Sequence, residues 1–325
     1  MSNIYTSITQ LVGHTPLIEL VNFEKNNNLK AKVLGKLEYF NPTGSVKDRA
    51  VLGMVEQAEK EGKIKPGGTI IETTSGNTGI ALAAFCATKG YHAIIYMEPG
   101  CTPERVQIMK AYGAEVRDIT LIKGFTDIIK NYGFDVRKIM AAVAEEAEEN
   151  GYYYLGQLFN EANPESHYKT TGPELVADTD GKIDIAVMLA GTAGTLTGVG
   201  SYLQDKIPGV KIVGVQPTKD SLYAPGEDRD TIDGVVVFHK ETGCSHPFVV
   251  KHNFKYDEII EVTGTDSYAT AREVAESDGI LLGASAAAAL TAARELALRP
   301  ENEGKNIVAI LADNGMKYLS TRMFA

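Results

Sequence analysis

Three times along this chain a strand-like run ends in a loop carrying glycine and hydroxyl side chains, and the loop passes directly into a helical pattern. A strand, a glycine loop and a helix in that order require parallel sheets covered by helices on both faces. The first such unit follows the alternating run Ala31 to Phe40 and reads Asn41-Pro42-Thr43-Gly44-Ser45-Val46-Lys47-Asp48-Arg49. Pro42 and Gly44 break the backbone, and Ser45 is a good N-cap for a helix beginning near Val46 and running to about Glu61. Lys47 then falls in the first turn, where the helix dipole disfavours an ammonium. Partial burial pushes the same way, and a neutral amine is what attacks a carbonyl to form a Schiff base. The competing reading is a solvated lysine beside Asp48 and Arg49.

The second unit is a strand from Gly68 to Glu72, then Thr73-Thr74-Ser75-Gly76-Asn77-Thr78-Gly79, then an apolar helix from Ile80 to Thr88. Glycines at 76 and 79 let the backbone approach a ligand, and the opening amides with several hydroxyls form an anion cradle. An ordinary capped helix start would use the same residues. The third unit is a strand from Asp184 to Ala190 followed by Gly191-Thr192-Ala193-Gly194-Thr195-Leu196-Thr197-Gly198 and a helix. This is a phosphate-binding arrangement, but it lacks the Gly-Lys-Ser/Thr of a Walker loop and the GxGxxG of dinucleotide sites. The next strand, from Lys211, ends in Gln216-Pro217, where a nicotinamide enzyme carries an acid for the ribose hydroxyl. A single phosphate is expected, not a pyrophosphate.

Together the loops describe pyridoxal phosphate: an aldehyde for Lys47, a phosphate for 191–195 and a substrate carboxylate for 74–78. On these segments, and on Gly13-His14-Thr15-Pro16-Leu17 and Lys317-Tyr318-Leu319-Ser320-Thr321 near the two ends, the chain resembles the cysteine synthase (O-acetylserine sulfhydrylase) family. The resemblance implies two α/β lobes with mainly parallel sheets, the tryptophan-synthase-β-like architecture (pyridoxal-phosphate fold type II). Residues 42–155 would form a smaller, mobile lobe, and 1–41 with 156–325 a larger one. It implies that Lys47 is the Schiff-base lysine and the base for the substrate's Cα proton. Asn77 would meet the cofactor's ring hydroxyl oxygen, and Thr74, Ser75, Thr78 and Gln157 would hold the substrate carboxylate. Gly191, Thr192, Ala193, Gly194 and Thr195 would bind phosphate. The family usually has glycine at 193, and a methyl group there is tolerable if φ is negative.

Ser285, in Gly283-Ala284-Ser285, matches the family's serine facing the pyridine nitrogen. A serine leaves that nitrogen neutral, so the ring is a weaker electron sink than with an aspartate, and loss of a β-leaving group competes well. The implied chemistry is β-elimination or β-replacement through an aminoacrylate. A helix N-cap before the alanine-rich run 284–297 is the alternative role for Ser285.

Between Leu222 and Phe254 the resemblance thins. Gly226 to Phe238 keeps only Ile232 and Gly234 of the family's glycine-rich entrance loop, and Asp233 stands where glutamine is usual. The stretches His239 to His252 and Thr120 to Tyr154 also depart, and Ala286-Ala287 replaces Ser/Cys-Gly. A carboxylate near the reacting centre repels hydrosulfide but can move a proton to sulfur or from water. Asp233 is therefore a candidate acid/base for releasing sulfide from L-cysteine, with a solvated loop aspartate as the alternative. The function expected is cysteine synthesis from O-acetylserine and sulfide, with cysteine desulfhydrase action second. A non-catalytic ligand-binding or regulatory relative and a nicotinamide enzyme are the readings from other classes.

At 325 residues and 44% apolar composition there is enough chain for two compact cores. A net charge of −10 without a basic stripe argues against nucleic-acid and membrane-surface partners. Cys86, Cys101 and Cys244 are widely spaced, and neither they nor His239, His246 and His252 give a metal-ligand spacing, so no metal is expected. The polar start Met1 to Tyr5 does not read as a signal peptide. Ile280 to Ala293, broken by Gly283 and Ser285, falls short of the ~18 apolar residues of a membrane span. A cytoplasmic setting follows from the cysteine usage, and the resemblance adds a homodimer, a small amino-acid substrate and sulfide as substrate or product.

Overall fold

The structure, a computed structural model, describes residues 4–74, 76–98, 100–222, 229–235, 237–238 and 246–325. Two sheets organise it. The smaller has strands β3 (Thr69–Thr73), β4 (His92–Met97), β5 (Glu115–Asp118) and β6 (Tyr153–Tyr154) in the order β5-β4-β3-β6, all parallel. The larger has β1 (Leu17–Glu19), β2 (Lys32–Leu37), β7 (Ile185–Leu189), β8 (Lys211–Pro217), β9 (Glu258–Val262) and β10 (Asn306–Leu311). Its order is β1-β2-β10-β7-β8-β9, with only β1 antiparallel to its neighbour. The parallel α/β architecture expected from the alternation is therefore present.

Strand β2 pairs with β10 from Lys32↔Asn306 to Leu37↔Leu311, so an early strand and the last strand of the chain are neighbours. Parallel strands buried on both faces should be continuously apolar. Ile70, Ile71 and Ile95 of the smaller sheet are fully buried, as are Val33, Val187, Val213, Ile307 and Leu311 of the larger.

Helices connect these strands, and three of them carry the site. Lys47–Lys60 follows β2, Asn77–Lys89 follows β3, and Gly194–Lys206 follows β7. The second is apolar all round and correspondingly buried from Thr78 to Cys86. The alanine run forms the helix Ala284–Leu298, whose Ala286 to Ala289, Ala292 and Ala293 are fully buried. Side chains this small let the helix lie close to the larger sheet and to the helix Gly264–Asp278. In parallel sheets the strand C-termini and helix N-termini gather on one side, and here that side is a cleft between the two sheets, about 300 Å³ in volume.

Candidate active site

Lys47 is the first residue of its helix and its side chain lines the cleft. Val46, not Ser45, occupies the N-cap position; the Ser45 hydroxyl accepts from the Lys47 amide at 3.3 Å, one residue removed from the expected cap. The solvated surface alternative fails because Lys47 is only partly exposed and its amine is desolvated within the cleft. Asp48 accepts from the Thr43 amide at 2.7 Å and from the Thr43 hydroxyl, and burial pushes its pKa up to about 6 against those bonds. Arg49 donates from Nε to Glu38 Oε2 and from Nη1 to Glu174 Oε1, both at 2.7 Å. The first turn is thus clamped on either side of an amine that faces the cleft. Desolvation lowers the pKa of Lys47, and the Asp313 carboxylate opposes it.

The 74–79 loop opens the helix Asn77–Lys89. Thr78 Oγ1 donates to Gln157 Oε1 at 2.6 Å, so two residues far apart in the chain, both expected at the substrate carboxylate, meet. Thr74, Asn77, Thr78 and Gln157 line the same cleft as Lys47. Ser75 lies outside the described residues. A Cβ on Gly76 would stand 2.8 Å from Arg105 Cδ, so glycine there is a matter of close approach. Gln157 is held from behind: its amide donates to Glu72 Oε2 at 3.0 Å, and burial pushes Glu72 up to about 7.

Gly191 to Thr195 crosses from β7 into the helix Gly194–Lys206. A Cβ on Gly191 would come within 2.3 Å of the Gly234 carbonyl, and one on Gly194 within 2.1 Å of Asn163 Oδ1. Ala193 has φ +63°, so the condition under which its methyl group was tolerable is not met, and it sits in the left-handed region at a cost of roughly 1–2 kcal/mol. Thr192 Oγ1 accepts from Asn163 Nδ2 and from the Gly194 amide. Thr195 Oγ1 lies 3.2 Å from Nε2 of the buried His167, an imidazole held neutral by burial and by the charges of Arg49 and Lys47. The opening amides of a 13-residue helix and two hydroxyls, with no carboxylate on the loop, suit a phosphate.

Ser285 also lines the cleft, but Gly283 is the N-cap of the alanine helix and Ser285 stands one turn position inside it. The capping alternative is therefore excluded, and its hydroxyl is not engaged by the helix end. These side chains fit pyridoxal phosphate: an amine for the aldehyde, an acid-free cradle for the phosphate, an amide and a hydroxyl for the ring.

Asp233 is only partly exposed and is not isolated. Its Oδ2 lies 3.2 Å from Arg105 Nη1, and its Oδ1 accepts from Thr231 Oγ1 at 3.2 Å. Arg105 is buried in the helix Pro103–Ala111 and stacks on Tyr318, 4.7 Å from the ring centroid. Glu98 faces the same cleft, its pKa raised by burial and by Asp233. Glu98, Arg105, Asp313, Lys317 and Tyr318 escaped sequence reasoning as site residues. Only the matching segment Lys317 to Thr321 hinted at two of them, Lys317 and Tyr318.

Phe134, Val136, Ile139 and Met140, from the stretch that departs from the family pattern, form one apolar wall. Residues 223–228, 236 and 239–245, with His239 and Cys244, lie outside the described part of the divergent segment. His246 is buried against Phe238 and His252 pairs with Glu161, the two capping the helix Pro247–Lys251 at its ends. Among the described residues no three His, Cys, Asp or Glu side chains gather as a metal-ligand set.

Residues 8–313 match the family described as pyridoxal-phosphate dependent enzyme. A cysteine synthase of Staphylococcus aureus is 42% identical over 323 residues, 98% of this chain and 97% of that one. The crystal structure of a cysteine synthase from Entamoeba histolytica superposes with a TM-score of 0.83 at 38% identity, covering 99% of this chain and 91% of that one. A hydrogen sulfide-producing enzyme of Fusobacterium nucleatum gives a TM-score of 0.79 at 33% identity, covering 97% and 100%.

Proposed function

We propose, because the chain belongs to the pyridoxal-phosphate dependent enzyme family, that it joins or cleaves a Cβ–S bond, making L-cysteine from O-acetyl-L-serine and sulfide. One observation carries this reading: the Lys47 amine opens onto the single cleft that also receives Asn77, the 191–195 loop and Ser285. Pyridoxal phosphate bound there supplies an electron sink for the carbon next to the substrate's nitrogen. The chain's residues do the rest. Thr74, Thr78 and Gln157, with Ser75, hold the substrate carboxylate and so fix the direction of its Cα–H bond. Lys47 Nζ takes that proton and later returns it. Ser285, a neutral hydroxyl, leaves the ring nitrogen uncharged, which favours departure of the β-group over longer-lived alternatives.

A second reading, release of sulfide from L-cysteine with water or a thiol as second substrate, is favoured by Asp233. Its carboxylate faces the cleft, and Arg105 offsets the charge that would otherwise repel hydrosulfide. The relative that produces hydrogen sulfide agrees with it. A non-catalytic binding role is disfavoured by Lys47, Asn77 and Ser285 sharing one cavity.

The reading includes a homodimer in the cytoplasm and two lobes, residues 42–155 against 1–41 with 156–325. The lobe division is supported by the smaller sheet lying wholly within 69–154. The charge of −10 supports the lack of a nucleic-acid partner. No helix among the described residues is long and apolar enough to cross a membrane.

The test is a product assay of the holoenzyme with O-acetylserine plus sulfide beside L-cysteine alone, following cysteine, sulfide, serine, pyruvate and lanthionine. Cysteine from the first mixture supports the synthase and sulfide from the second the desulfhydrase. Neither product from either mixture contradicts both.

A further inference from the structure

Asp313 follows β10 and the cleft-lining Ala312, and is fully buried. Its Oδ2 accepts two hydrogen bonds, from Asn77 Nδ2 at 2.8 Å and from the Tyr318 hydroxyl at 2.9 Å. Its Oδ1 is buried without a hydrogen-bond partner among the described residues. On the other side of the Asn77 amide, Lys317 Nζ donates to Asn77 Oδ1 at 2.9 Å and to the Gly44 carbonyl at 3.1 Å. An ammonium can only donate, and a carboxylate facing two donors can only accept. The Asn77 amide therefore has one orientation. Its oxygen is committed to Lys317, one N–H is committed to Asp313, and the remaining N–H is what Asn77 can offer into the cleft.

The position of Asp313 is itself constrained. A Cβ on Gly283 would lie 2.1 Å from Oδ1, so Gly283 leaves space for the carboxylate beside the start of the helix that carries Ser285. Asp313 also faces Lys47, Lys317 and Arg105 from three different elements, and it is the anion common to their surroundings.

The geometry points to Asp313 and Lys317 as a pair of positioning residues that lock the Asn77 amide as a hydrogen-bond donor to the ring oxygen of the cofactor. The pair touches neither the substrate nor the cofactor in this role; it acts through Asn77. The inference rests on the reading that the cleft holds pyridoxal phosphate with its ring oxygen at Asn77.

The experiment measures the dissociation constant of pyridoxal phosphate, and of its 3-deoxy analogue lacking the ring oxygen, for the parent apo-protein and three variants. The absorbance maximum of each bound form is recorded alongside. In Asp313→Leu the acceptor is lost, and in Lys317→Met the donor. Each is expected to weaken pyridoxal phosphate about tenfold, the worth of one well-placed hydrogen bond, and to shift the maximum. Asp313→Asn keeps an acceptor oxygen for Asn77 and is expected to bind within about twofold of the parent. With the 3-deoxy analogue the Leu and Met penalties should vanish. The inference is overturned if the Leu and Met variants bind pyridoxal phosphate as the parent does, or if their penalty persists with the analogue. Should Asp313→Leu not fold, Lys317→Met decides alone. If the parent binds neither compound, it is the cofactor reading that fails.

Discussion

At the scale of single residues, the least comfortable one is Ala193, a residue with a Cβ in the left-handed region within the 191–195 loop. Ala193→Gly removes that strain but gives the unfolded chain more freedom, and the two effects partly cancel. We expect a net gain of up to about 1 kcal/mol in urea unfolding of the apo-protein; a loss would show that the methyl group makes a packing contribution outweighing the strain. Asp233 is the residue on which the two readings of the chemistry part. If it moves a proton during sulfide release, Asp233→Asn lowers that rate from L-cysteine by about a hundredfold. Cysteine formation from O-acetylserine, which needs no such proton at sulfur, is expected to change far less. Release of sulfide at the parent rate would remove Asp233 from the mechanism.

At the scale of elements, the Lys47 helix is held by its own second and third residues. Arg49 sits between Glu38, in the short turn after β2, and Glu174, in the helix Thr171–Asp178. Buried charges that lose their partner are costly, so Arg49→Met is expected to destabilise the protein by about 3–5 kcal/mol in urea unfolding. A cost below about 1 kcal/mol would mean that Glu38 finds water or another donor. Strand β3 ends in Glu72, fully buried with its pKa pushed from 4.5 up to about 7. The folded state therefore holds this proton more tightly than the unfolded chain. Its contribution is whole below pH 4.5 and is lost as pH rises through about 7, a difference of about 3 kcal/mol. Unfolding free energy measured across that window should fall with pH, and Glu72→Gln should flatten the fall. An unchanged slope in the variant would assign it elsewhere, to Asp48, Glu98 or Glu24, whose carboxyls burial also raises.

Most of these elements were legible beforehand, because period and punctuation are local properties. The runs Gly68 to Glu72, Asp184 to Ala190 and Lys211 to Gln216 give the strands β3, β7 and β8, and the alanine-rich run 284–297 forms one largely buried helix. The helix ends were less well placed. Ser45 and Ser285 each read as caps, yet Val46 and Gly283 hold those positions, because the chain's path into the helix is set by tertiary contacts such as the Val46 amide bonding the Ala312 carbonyl.

At the scale of the whole molecule, the cleft exists because two sheets present their strand C-termini to one another, and each sheet brings a different part of the chemistry. The smaller brings Thr74, Asn77 and Thr78, the larger the 191–195 loop, Asp233 and Ser285, and Lys47 stands between them. Residues joined by a loop motif were recognisable from sequence. Those joined only by the fold were not: Arg105 reaches Asp233 across 128 positions, and Asn77 reaches Asp313 across 236. No spacing rule connects such pairs, and neither partner has an unusual neighbourhood in the chain. The apolar wall from Phe134 to Met140 belongs to the same class, a departure in sequence whose place in the cleft with Lys47 and Ser285 only the fold reveals.

In the function proposed, one amine among the lysines of this chain carries the cofactor. Reconstitution with pyridoxal phosphate, reduction with borohydride and peptide mass mapping tests it most directly. The cofactor adduct is expected to be confined to the peptide containing Lys47, and to be absent in Lys47→Ala. An adduct on any other lysine, or no adduct on a protein that has bound the cofactor, would contradict it.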